Sequence, residues 1–90
     1  MELSKNTIIF NETEIALGLP ESVPVVYADL VLERVEKLQE NAKDRLRLKK
    51  QLLLDMGQNA LWVEHNVTDR ENVLLYGVEV DLRRIIDETV

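Results

Sequence analysis

Between Tyr27 and Ala42 the apolar residues recur at spacings of one, three and four, and no other feature limits the fold so tightly. Tyr27, Ala28, Val31, Val35, Leu38 and Ala42 fall on one stripe of an α-helix turning every 3.6 residues. Asp29, Glu33, Glu36 and Glu40 fall on the opposite side. Such a helix must bury its stripe against another apolar surface. The nearest candidate runs from about Arg45 to at least Met56, where Leu46, Leu48, Leu52, Leu53 and Leu54 sit among good helix formers.

These segments read as two helices rather than one. A continuous helix over 25–65 would be about 60 Å long, too long for a compact chain whose expected radius of gyration is roughly 12 Å. A heptad continued from Val35, Leu38 and Ala42 would also place Arg45 and Lys49 on the seam. Both points predict a reversal near Asn41–Asp44, with Asp44 capping the second helix. A single rod pairing with another chain is the alternative.

Upstream, Thr7–Phe10 is a short β-prone run. Asn11 with Glu14 three residues on forms a capping box for one turn of helix over 12–17, and Gly18 and Pro20 are its stop signals. A tight hairpin turning at Asn11-Glu12 is the alternative there. Ser22 followed by Pro24 marks the next helix start. Downstream, Leu74, Tyr76, Val78, Val80 and Leu82 alternate as in a strand, and Gly77 and the valines disfavour a helix. The same stretch holds a helical stripe in Leu74, Leu75, Val78, Leu82, Ile85 and Ile86, with Thr68 and Glu71 as a second capping box. The alternation is preferred: a strand over about 73–80, then a short helix capped by Asp81, with 60–67 either the hairpin partner of that strand or a continuation of the second helix.

The expected fold is one small α-rich α+β domain. An antiparallel helical hairpin (about 24–42 and 45–58 or longer) carries a short N-terminal strand and a C-terminal strand or hairpin with a short helix. An all-α bundle of three or four helices is the alternative.

Composition removes several chemistries. The sequence has no cysteine, hence no disulfide, thiolate nucleophile or Cys-based metal site. Its start lacks the basic and apolar regions of a secretory signal, and no apolar run reaches the ~20 residues of a membrane span. The expectation is a soluble cytoplasmic protein. The net charge of −6 is unevenly laid out: Lys43, Arg45, Arg47, Lys49 and Lys50 form a basic island between two acidic arms. That layout suits charge-matched contact with another protein or a second copy better than general polyanion binding.

Several motifs resemble known sites over short stretches. Glu14-Ile15-Ala16-Leu17-Gly18-Leu19-Pro20-Glu21-Ser22 resembles the turn of a helix-turn-helix. The helix after it begins Val25-Val26-Tyr27-Ala28-Asp29 and continues into glutamates, unlike one that reads DNA. The basic island is the stronger nucleic-acid candidate but has no aromatic residue interleaved for stacking on bases. Glu33 and Glu36 resemble the Glu-x-x-Glu of helical pyrophosphohydrolases and di-iron bundles. Both need further carboxylates or a Glu-x-x-His on a facing helix, and position 62, three before the single histidine His65, is Trp. No Gly-rich phosphate loop or nucleophile elbow is present.

These features predict a non-enzymatic protein-binding or assembly module of regulatory or accessory character, with no cofactor, no bound metal and itself or another protein as partner. Asp29, Glu33, Glu36 and Glu40, the island Lys43, Arg45, Arg47, Lys49 and Lys50, and Trp62 are the candidate contact residues. Trp62 is weighed between core filler and partner anchor. Two other functions are kept: a nucleic-acid-associated regulator using residues 43–50, and a metal-dependent hydrolase using Glu33, Glu36 and Glu40.

Overall fold

The computed structural model describes residues 1–67 and 69–89. The N-terminal lobe is built from β1 (Glu2–Ser4), β2 (Thr7–Ile9), the five-residue helix α1 (Glu12–Ala16) and β3 (Ser22–Pro24). The strands form an antiparallel sheet in the order β1-β2-β3, with Leu3 opposite Ile8 and Ile8 opposite Val23. A 3₁₀ turn at Val25–Tyr27 leads into α2 (Ala28–Asp55). Next come α3 (Ala60–Asn66) and α4 (Arg70–Thr89). With 72% of its described residues helical and a three-stranded sheet, the chain is α-rich α+β, as its pattern predicts.

The local signals of the lobe act as read. Asn11 accepts the Glu14 N–H at 2.9 Å, and Glu14 accepts the Asn11 N–H at 2.9 Å, completing the capping box. Gly18 takes φ +114°, which lets the Leu19 N–H reach the Glu14 carbonyl and close a Schellman end. The hairpin turn lies at Lys5-Asn6 rather than Asn11-Glu12. Lys5 has φ 55°, a left-handed conformation that costs a side-chain-bearing residue about 1 kcal/mol. Lys5→Gly is expected to add about 0.5 kcal/mol of stability, the strain relieved less the entropy of glycine. A thermal melt should show it as a rise of about 2–4 °C. A fall would mean that the Lys5 side chain contributes more than its backbone costs.

Three expectations are corrected. Ser22–Pro24 is a strand, so α2 starts at Ala28, and β3 separates α1 from α2 where a helix-turn-helix would have only a turn. The reversal at Asn41–Asp44 does not occur: α2 runs unbroken for 28 residues. Asn41–Asp44 contains no glycine or proline, and Ala42 is fully buried. The stripe continues from Ala42 to Leu46 and Leu53, both half-buried, at the true helical period. Arg45 and Lys49, which the heptad placed on the seam, do flank the start of α4, where both line a hollow with Asp69 and Glu71 and Arg45 pairs with Glu71, so acids of the neighbouring segment accommodate these cations without a break in the helix. The 42 Å rod implied by 28 residues is accommodated by an elongated molecule, 52 Å in its longest extent with a radius of gyration of 16.0 Å. It ends at Gly57, φ +91°, in a second Schellman motif in which the Gln58 N–H bonds to the Leu53 carbonyl.

The third correction concerns 60–80, where 60–66 and 70–80 are helical. Leu75, Val78, Leu82 and Ile85 bury one face of α4, and that packing outweighs the β propensity of the valines. Asp81 lies inside α4 and caps nothing. The capping role of Thr68 falls outside the described residues, while Asp69 accepts the Glu71 N–H at 2.9 Å. The helical hairpin therefore exists, but its arms are α2 and α4. Gln39 donates to Glu79 at 3.2 Å and Arg83 to Glu36 at 3.1 Å, and Arg45 pairs with Glu71. These links fix α4 antiparallel to α2. One apolar cluster joins Ile8, Phe10 and Leu19 of the lobe to Ala28, Val31, Val35 and Ala42 of α2 and the buried face of α4.

Candidate interaction surface

A helix about 42 Å long flanked by a 20-residue neighbour and a small lobe keeps much of its circumference in water. The carboxylates Asp29, Glu33, Glu36 and Glu40 are all exposed along one side of α2, as expected. Glu36 takes Arg83, whose Nε also stands 3.6 Å from Glu79. Asp29, Glu33 and Glu40 make no ion pair among the described residues. Nor do any three His, Cys, Asp or Glu side chains converge there in a way that could hold a metal ion.

The basic island does not form one patch. On a continuous helix, Lys43, Arg47 and Lys50 fall to one side of α2 and Arg45 and Lys49 to the other. Arg45 is matched by Glu71, Lys50 by Glu64 at 3.3 Å and Arg47 by Asp44 at 3.4 Å. Lys43 and Lys49 are exposed and make no ion pair among the described residues. Three of the five cations are thus engaged with acids of their own chain.

Trp62 lies in α3, whose start is capped by Asn59 accepting the N–H groups of Leu61 and Trp62. Val63 is buried towards α2, while Trp62 keeps 49% of its surface exposed. It therefore fills no gap in the core. His65 stands exposed in the last turn of the same helix.

The exposed apolar residues of the two long helices were not singled out from sequence as contact residues. On α2, Leu30, Leu48 and Leu52 are 60%, 70% and 61% exposed, and the residues flanking its two ends, Tyr27 and Met56, also face water. On α4, Val73 and Tyr76 are 71% and 64% exposed, and Val80 continues their row. That row faces away from α2, and at Gly77 within it a side-chain methyl would meet no neighbouring side chain within 4 Å. A usable signal existed. Once Val31, Val35 and Ala42 define the buried side of α2, Leu30, Leu48 and Leu52 are left over on another face. Near the lobe, Pro20, Val23, Tyr27, Leu30, Val31 and Arg34 line an almost wholly apolar groove of about 380 Å³. No described helix is long and apolar enough to cross a membrane.

No protein-family model matches the chain, and neither a curated protein nor a solved structure is significantly similar to it.

Proposed function

We propose that this chain is a non-enzymatic interaction and assembly module that binds a second helical surface through its uncovered apolar helix faces. The observation that carries the reading is the pair of apolar rows, Leu30/Leu48/Leu52 on α2 and Val73/Tyr76/Val80 on α4, both turned away from the chain's own core. Scattered exposed leucines need no explanation, but apolar residues aligned along one helix face are what a docking helix recognises. Burying one such leucine is worth about 1.5–2 kcal/mol, so two or three per face supply useful affinity.

The nucleic-acid reading draws less support, because three island cations are matched by carboxylates and the five residues are divided between two sides of α2. The hydrolase reading draws less because the carboxylate side of α2 faces solvent, whereas such sites gather ligands from facing helices.

The test compares the tagged wild-type chain, recovered from its own source, with Leu48→Glu/Leu52→Glu and Val73→Glu/Val80→Glu, each checked for helicity. We expect a stoichiometric helical partner, a second copy or another protein, that one charged pair removes without unfolding the chain. A chain that stays monomeric at 100 µM, with no stoichiometric partner sensitive to either pair, sinks the reading.

A further inference from the structure

Resting on that reading, we infer that the partner of the α2 face is a second copy of this chain, docked antiparallel about a twofold axis at Asn41. Leu30 and Leu52 each stand eleven residues from Asn41, and Arg34 and Leu48 each stand seven. All five are exposed on the same side of α2. A twofold axis makes a surface contact itself in reverse order. It therefore sets Leu52 of one copy against Leu30 of the other, and Leu48 against the aliphatic stem of Arg34. Tyr27 and Met56, fourteen and fifteen residues from the centre, meet at the two ends. The groove beside Pro20 and Val23 opens where the partner's Leu52 and Met56 arrive.

Charge favours the same arrangement. In an antiparallel pair, like edges of the two helices face each other. On one edge Lys37 lies four residues before Asn41 and Asp44 three after it, so each Lys37 meets the partner's Asp44, which also holds Arg47 of its own chain at 3.4 Å. Glu33 and Arg47 extend that edge, bringing the acidic segment of one copy beside the basic segment of the other. The opposite edge carries Arg34 and Lys49, which repel across the pair, while Arg45 is already matched by Glu71. Asn41 against Asn41 on the axis is the kind of polar contact that selects one register at some cost in stability.

A helix 42 Å long and about 10 Å across presents roughly 400 Å² in projection, half the ~800 Å² per partner of a standard interface. The groove wall adds to it, and the expected affinity is micromolar.

The chain has no cysteine, so single-thiol variants read the geometry directly. Asn41→Cys is expected to form a disulfide-linked dimer under mild oxidation. Leu30→Cys alone should not, because its two copies would stand about 33 Å apart, yet mixed with Leu52→Cys it should cross-link. By sedimentation, Leu48→Glu/Leu52→Glu should weaken self-association at least hundredfold while circular dichroism stays unchanged. Wild-type chain that remains monomeric at 100 µM overturns the inference, as does equal cross-linking of all single-thiol variants, which marks a parallel pair. A dimer trapped by Gly77→Cys and not by Asn41→Cys overturns it too, while leaving the proposed module function standing on α4.

Discussion

Leu82→Ala is expected to lower unfolding free energy by about 3 kcal/mol, within the 2–5 kcal/mol range for emptying a buried leucine site. Leu82 is fully buried in the cluster that joins the sheet lobe to both long helices. Two cross-links bracket it, Glu79 with Gln39 and Arg83 with Glu36, which hold the backbones of α2 and α4 at a set separation. Neighbours therefore cannot fully collapse into the space vacated. For a chain of this length, total stability is on the order of 5–13 kcal/mol, so the change removes a large share. The thermal midpoint should fall by roughly 12–24 °C, at every protein concentration. A loss under 1 kcal/mol would mean that α4 does not dock through this face.

Glu14→Ala is the other large effect, expected at about 2–3 kcal/mol. Glu14 is 6% exposed, an unusual place for a carboxylate. It is satisfied twice, by the Asn11 N–H at 2.9 Å and by the Met1 ammonium group at 2.9 Å. Truncation leaves both donors without their acceptor in a partly buried corner, and such orphaned groups cost more than the bond itself contributed. Glu14→Gln keeps an acceptor for Asn11 and loses only the charge, so it should cost about 1 kcal/mol. Denaturant titration of the two variants separates these parts. Equal losses would show that the ion pair with Met1, rather than the capping box, carries the stabilisation.

Much of the architecture was readable from short stretches. The capping box, the glycine stop at Gly18 and the inward stripe of Ala28, Val31, Val35 and Ala42 each depend on residues within about four positions of one another. Their outcome hardly depends on the rest of the chain. The acidic side of α2 followed from the same stripe. One misread stretch has two consistent periods. Over 74–82 both a strand and a helix place apolar residues on one face, and propensity favoured the strand. Packing against α2 reversed that preference. At 41–44 the error came from reading cations on the seam as a break: Arg45 and Lys49 lie beside Asp69 and Glu71 at the start of α4, a match between residues twenty or more positions apart. The candidate contact residues were chosen for charge and for the lone tryptophan, and that choice passed over the leucines, because an apolar residue in a sequence looks like core.

The amino-acid order alone determined where α1 begins and ends, which side of α2 turns inward along its first half and which side carries carboxylates. Those are near-neighbour matters of hydrogen bonding and helical repeat. Only the tertiary structure decided that α2 continues straight, that 70–89 coils, and that Leu30, Leu48, Leu52, Val73, Tyr76 and Val80 stay in water. The physical reason is geometric: a helix can be covered only where another element reaches it. With α4 and the lobe occupying one side of a 42 Å rod, the remaining apolar residues have no surface of their own chain left to meet.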